Sequence, residues 1–140
     1  MADDLGIRKV GVVGCGLMGS GIAETCARAG YEVLVREVNQ QLLDKGFQSI
    51  RKSVGRAVER GKLSAEDAEA LLKRLTGTTS LDDLAPCDLV IEAVTEKMEV
   101  KKEVFAYLDR ILPAHAIIAS NTSSLCITEM ASVTGRPAQV

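Results

Sequence analysis

Apolar and polar positions along this chain follow two alternating periods. Short runs of consecutive β-branched and aliphatic residues, as continuous as strands buried on both faces require, are separated by longer stretches with apolar residues every three or four positions. The runs lie at 9–13, 32–36, 89–94 and 117–120, with a shorter candidate at 77–79. The helical stretches lie at 17–29, 40–60, 65–75 and 97–112, and a last helix starts near Thr128. This alternation predicts a parallel sheet covered by helices, the α/β class. In the first helix Met18, Ile22, Cys26 and Ala29 share a face and are expected to point at the core, with Gly30 as the stop signal. In the second, Leu42, Leu43, Phe47, Ile50, Val54 and Val58 form the apolar stripe. Gly61 and Lys62 break that helix. Ser64, followed by Glu66 and Asp67, then offers an N-cap and an acidic first turn, so residues 40–75 predict a helical hairpin.

Gly14, Gly16 and Gly19 fall between the first predicted strand and the first predicted helix with the spacing G-x-G-x-x-G. In that context the first glycine permits a tight turn, the second lets the backbone approach a pyrophosphate, and the third lets the helix pack closely on the strand. Leu17 and Met18 belong to the same cofactor-binding stretch. The unpaired N–H groups of a helix N-terminus, together with the macrodipole, favour the phosphates there. Glu37 closes the second strand about 20 residues further on, where a carboxylate accepts hydrogen bonds from an adenosine ribose. It would repel the 2′-phosphate of NADP and so favours NAD, although the adjacent Arg36 could attract that phosphate. Together these features predict a Rossmann-type doubly wound parallel sheet with a long helical hairpin after its second strand. Taken singly, the motif could be a ligand-free glycine turn and Glu37 an exposed acid at a strand end.

Composition narrows the picture without redirecting it. With 140 residues, 46% of them hydrophobic, but two Tyr, two Phe and no Trp, the chain has material for one dinucleotide-binding domain over residues 1–140 with an aliphatic core. A net charge of −2, with 17 basic residues scattered along the chain, gives no footprint for nucleic acid or an anionic membrane. Cys15, Cys26, Cys87 and Cys126 are far apart and His115 is the single histidine, so no metal site is expected. The polar start at Ala2, Asp3 and Asp4 and a short, glycine-broken apolar run predict no secretory signal. No stretch approaches the roughly 20 apolar residues of a membrane span. A cytoplasmic protein with reduced thiols is expected.

Four stretches carry a resemblance: residues 10–21, Gly61-Lys62-Leu63-Ser64, residues 90–96 with Lys101, and residues 119–125, read as A-S-N-T-S-S-L. On these the chain, from residue 8 to residue 140, resembles the N-terminal domain of the 3-hydroxyacyl-CoA dehydrogenases, particularly the stand-alone bacterial 3-hydroxybutyryl-CoA type. The resemblance implies interconversion of an L-3-hydroxyacyl-CoA and a 3-ketoacyl-CoA by hydride transfer with NAD. It also implies that Ala93, Glu96 and Lys101 line the nicotinamide side of the dinucleotide site. Asn121 and Ser123 would lie at the junction of cofactor and substrate, the two residues of this chain closest to the chemistry. Ser53 and Arg60 occupy the positions that approach coenzyme A in the family. Arg60 departs from the family's lysine-like residue, Lys62 could reach a phosphate as well, and a solvated basic face would explain these residues equally.

The family's general base is a histidine in a strand expected just beyond Val140, followed by a helical substrate and dimerisation domain. The chain therefore reads as a dinucleotide-binding domain truncated before its last strands, without the C-terminal helical domain. It is expected to be inactive alone and to belong to a homodimer when full length. His115 is expected at the surface, remote from the loop at 119–125. Two other readings stay open: a dehydrogenase of free hydroxyacids, and a non-catalytic, crystallin-like NAD-binding protein.

Overall fold

The computed structural model describes residues 6–140, so the polar start at Ala2, Asp3 and Asp4 lies outside the described residues. Strands β1 (Lys9–Val13), β2 (Glu32–Arg36), β3 (Leu75–Thr78), β4 (Leu89–Glu92) and β5 (Ile117–Ser120) form one sheet in the spatial order β3-β2-β1-β4-β5. Every pairing is parallel, and Val12 at the centre lies opposite Val35 on one side and Ile91 on the other. The chain winds outward from β1 through β2 and β3, then returns to the far side of β1 for β4 and β5. Loops leaving the carboxyl ends of β1 and β4 therefore diverge, and a crevice opens between them.

Helices α1 (Leu17–Arg28), α2 (Gln40–Glu59), α3 (Ala65–Lys73), α4 (Met98–Ile111) and α5 (Ile127–Ala131) cover the sheet. Side-chain alternation along the strands feeds two cores. On one face Val10, Val12, Val33 and Val35 meet Ala23 and Ala27 of α1, Ile50 and Val54 of α2, and Leu71 of α3. On the other, Val13, Val90 and Ile118 meet Phe105 and Leu108 of α4 and Met130 of α5. The helical hairpin is present as α2 and α3. Asn39 caps α2 by accepting from the Leu42 amide at 2.8 Å, and Ser64 caps α3 by accepting from Asp67 at 3.0 Å.

The structure corrects the sequence reading in several places, among them the strand candidate at 77–79, which is found as β3 at Leu75–Thr78. The fully buried residues of α1 are Gly19, Ser20, Ala23 and Ala27; of the face formed by Met18, Ile22, Cys26 and Ala29, Ile22 and Cys26 pack half-buried against the same core, whereas Met18 and Ala29 are exposed. The helix lies too close to the sheet for larger side chains, which leaves Met18 57% exposed. Likewise Leu42, expected in the α2 stripe, is exposed while Gly46 is buried in that face. The third helix ends at Lys73 rather than 75, because Leu75 already starts β3 and the Arg74 carbonyl accepts from Val33 of β2 at 2.9 Å. The fourth strand stops at Glu92 rather than 94. Its own carboxylate takes the Val94 amide at 2.7 Å and turns the chain out of the sheet.

Gly19 sets how near α1 can come. A Cβ there would lie 1.8 Å from the carbonyl oxygen of Gly14, a contact with backbone that no rotamer relieves. Gly19→Ala should therefore cost about 1–3 kcal/mol of stability, as overpacking does, measured as a lowered thermal midpoint. An unchanged midpoint would show that α1 is not seated this closely.

Candidate cofactor site

The glycine turn is wedged between the ends of three strands. Gly14 has φ +104°, a conformation open to glycine, and its amide donates to the Arg36 carbonyl of β2 at 2.8 Å. A Cβ at Gly14 would lie 2.6 Å from the carbonyl oxygen of Ala93, so the turn after β1 is in contact with the turn after β4. Gly16 is the N-cap of α1 and supplies no side-chain acceptor to the first-turn amides, which helix geometry leaves without intrahelical partners. Leu17 and Met18 there are 92% and 57% exposed. A Cβ on Gly16 would meet nothing within 4 Å, so the space above these amides is open. Uncapped donors, positive dipole end and open space together form a cradle that fits a pyrophosphate.

Glu37 follows β2 and turns its carboxylate to this loop. Oε2 accepts from the Cys15 amide at 2.8 Å and Oε1 from Val38 at 2.8 Å. Each oxygen keeps a lone pair, so the fixed carboxylate fits the two hydroxyls of a ribose and opposes a 2′-phosphate. The neighbouring Arg36 donates instead to the Thr79 carbonyl at 3.3 Å. Cys15, buried under the turn, has its thiol pKa raised by burial and stays protonated at neutral pH.

At the ends of β4 and β5 lies a second constellation. Lys101 of α4, 1% exposed, directs its ammonium at Glu92 Oε2, 2.7 Å away, and at Glu96 Oε1, 3.2 Å away. Glu96 Oε2 accepts from the Thr122 hydroxyl at 2.7 Å and the Ser124 hydroxyl at 2.9 Å. These bonds and the Lys101 charge hold the Glu96 carboxyl below its ordinary range, the Thr122 bond contributing most. Asn121 and Ser123 of the same loop are exposed, at the carboxyl end of β5 beside the crevice.

The loop at 119–125 and the Glu96–Lys101 pair are thus brought together, as the sequence expects, and Ala93 joins them to the glycine turn. Ser53 lines a groove of about 390 Å³ between α1 and α2 with Leu17, Ser20, Glu24 and Arg56, whereas Arg60, the exposed C-cap of α2, does not line it. His115 is exposed and sits before β5, at the amino end of the strands, where it bonds Asp88 at 2.7 Å.

Over residues 9–140 the sequence matches the 3-hydroxyacyl-CoA dehydrogenase, NAD binding domain family. The chain belongs to this family. A probable 3-hydroxybutyryl-CoA dehydrogenase of Deinococcus radiodurans is 46% identical over 131 residues, covering 94% of this chain and 47% of that protein. Mycobacterium tuberculosis FadB2 has a crystal structure that superposes with a TM-score of 0.93 at 50% identity, covering 96% of this chain and 47% of that one. The (S)-3-hydroxybutyryl-CoA dehydrogenase PaaH1 of Ralstonia eutropha gives 0.92 at 41% identity, covering 95% and 47%. The chain spans about half the length of the curated relatives it matches. The dinucleotide of this family is NAD, and the cradle and Glu37 fit it.

In this NAD-binding domain, sequence reasoning gives no role to Glu92, Ser120, Thr122 or Ser124, which make the hydrogen bonds that shape the second constellation. One signal was available: Glu92 interrupts an otherwise apolar run, and a carboxylate there must find partners.

With its folded pKa lowered, Glu96 contributes stability that is complete above the ordinary value of 4.5 and is lost as the pH falls through the lower folded value. In an NMR titration the Glu96 carboxyl carbon should have its midpoint below 4.5, and a midpoint at or above that value would mean that Thr122 and Ser124 do not hold it.

Proposed function

We propose that this chain is the NAD-binding half of an enzyme interconverting L-3-hydroxyacyl-CoA, in particular short-chain 3-hydroxybutyryl-CoA, with the 3-ketoacyl-CoA. The observation that carries this reading is the juxtaposition of two unlike sets of groups around one crevice: the uncapped α1 amides with Glu37, and the polar loop at 121–124 braced by Glu96. The relatives' identity as 3-hydroxybutyryl-CoA dehydrogenases supports the substrate class.

When bound, NAD supplies the hydride acceptor or donor. In this reading the amides of Gly16, Leu17, Met18 and Gly19 hold the pyrophosphate, Gly14 permits the turn that presents them, and Glu37 binds the adenosine ribose. Ala93, Glu96, Lys101 and Asn121 shape the nicotinamide end, Lys101 acting through its buried contact with Glu96 rather than from the surface. Asn121 and Ser123 orient the reacting oxygen of the substrate, and the proton is taken by a base outside this chain. The α1–α2 groove would receive part of coenzyme A beside Ser53, with Arg60 one turn beyond Arg56. The complete enzyme is then a homodimer in the cytoplasm. The four free thiols and the lack, among the described residues, of a helix long and apolar enough to cross a membrane fit that setting.

Calorimetric titration of the folded chain should give saturable NADH binding, with NADPH at least about 100-fold weaker because like charges placed together cost several kcal/mol. Glu37→Ala should narrow that gap. Gly16→Val should abolish binding while the chain stays folded, since a Cβ there meets only open space and the loss of an N-cap glycine costs only about 1 kcal/mol. A folded chain that binds neither dinucleotide would refute the reading.

A further inference from the structure

Glu92 has no place in the cofactor cradle, yet it is the most enclosed charge near it. It is the last residue of β4 and 0% exposed. An ionised carboxylate out of water must be fully supplied with donors. Three converge on it: the Val94 amide and the Lys101 ammonium on Oε2, each at 2.7 Å, and the Ser120 hydroxyl on Oε1 at 2.6 Å. The Glu92 backbone carbonyl also accepts from the Asn121 amide at 2.8 Å. The residue therefore ties together the end of β4, the first turn of α4 and the end of β5.

Two routes lead from this carboxylate into the loop at 121–124. Through Ser120, whose hydroxyl oxygen accepts from the Thr122 amide at 3.2 Å, it sets the path of the loop backbone. Through Lys101 and Glu96 it fixes the hydroxyls of Thr122 and Ser124. Thr122 Oγ1 accepts in turn from the Ser124 amide at 3.3 Å and the Leu125 amide at 3.1 Å, closing the loop on itself. The side chains of residues 120, 122 and 124 are committed to this network, while the exposed side chains of Asn121 and Ser123 between them lie outside it.

We propose that Glu92 is a positioning residue, whose carboxylate sets the geometry of Asn121, Ser123 and Glu96 at the nicotinamide end of the site without touching the cofactor. The inference rests on the reading of the crevice as an NAD site. It predicts a division of labour: the glycine turn and Glu37 hold the adenosine diphosphate part, and the Glu92 network governs the remainder.

The experiment is a titration of the wild-type chain and of Glu92→Gln with NADH and separately with ADP-ribose, which lacks the nicotinamide, well below the melting range. Gln keeps the shape of Glu92 but removes the charge-assisted bonds to Lys101 and Ser120. NADH affinity should fall about tenfold while ADP-ribose affinity stays within about twofold, the loss expected where a charged hydrogen bond that positions a loop is removed. Equal weakening of both ligands by a folded Glu92→Gln chain would overturn the proposal, as would equal NADH binding by the two proteins. Ser120→Ala leaves the buried ion pair intact and cuts only the route to the Thr122 amide. It should show the same selective loss of NADH, so the proposal stays open to refutation if Glu92→Gln does not fold. Wild-type binding of ADP-ribose without any gain for NADH would refute the division of labour, and binding of neither would refute the NAD reading beneath it.

Discussion

How closely α1 can lie against the turn that follows β1 governs the geometry of the whole carboxyl end of the sheet. With no side chain at Gly19, the helix descends until its backbone touches the Gly14 carbonyl. The amides that begin α1 then open into the crevice between β1 and β4 instead of standing above it. The same descent presses the Gly14 turn on Ala93 and brings the Cys15 amide within reach of the Glu37 carboxylate. Strand order decides where a crevice forms, and the glycine contact decides what faces into it.

The two halves of the crevice are held by different physics. Around the glycine turn the restraint is steric, since backbone meets backbone and a methyl group would be too large. At the ends of β4 and β5 it is electrostatic, with Glu92 and Lys101 almost wholly removed from water and a third charge, Glu96, at the surface. Buried ion pairs rarely repay their desolvation with net stability, and apolar residues of similar volume commonly do as well. What an apolar cluster could not do is direct hydrogen bonds at a loop. The structure spends a costly interaction where orientation matters most.

Much of this was legible in the chain. The strands at 32–36 and 117–120 coincide with β2 and β5, and the helices are recovered to within a few residues, because continuous apolar runs and helical stripes report burial directly. Where the reading failed, tertiary contact overrode local pattern. Met18, Ile22, Cys26 and Ala29 make a persuasive apolar face, but the packing distance put Gly19, Ala23 and Ala27 nearest the sheet, left Ile22 and Cys26 at the core's margin and Met18 and Ala29 in solvent. Residues 93 and 94 look like strand, yet a carboxylate two positions earlier claims the amide of Val94. At the candidate site, the spacing of Gly14, Gly16 and Gly19 was readable because it follows from the turn between β1 and α1 and the close seating of that helix, and Glu37 because it stands at the end of the neighbouring strand. The partners of Glu92 were not, since Lys101 and Ser120 come from other elements and only the fold brings them together.

The alternation in the loop after β5 bears on how such a protein changes over evolutionary time. Its anchoring side chains, Ser120, Thr122 and Ser124, alternate with Asn121 and Ser123, which lie outside the network, so the two sets can vary under separate constraints. Side-chain substitutions at 121 and 123 leave the hydrogen-bonded framework of Glu92, Glu96 and Lys101 untouched and therefore draw little on the stability reserve of the domain. The fold and the chemistry of this loop can therefore be altered one without the other, so a lineage can lose or retune the reaction at 121 and 123 while the scaffold persists.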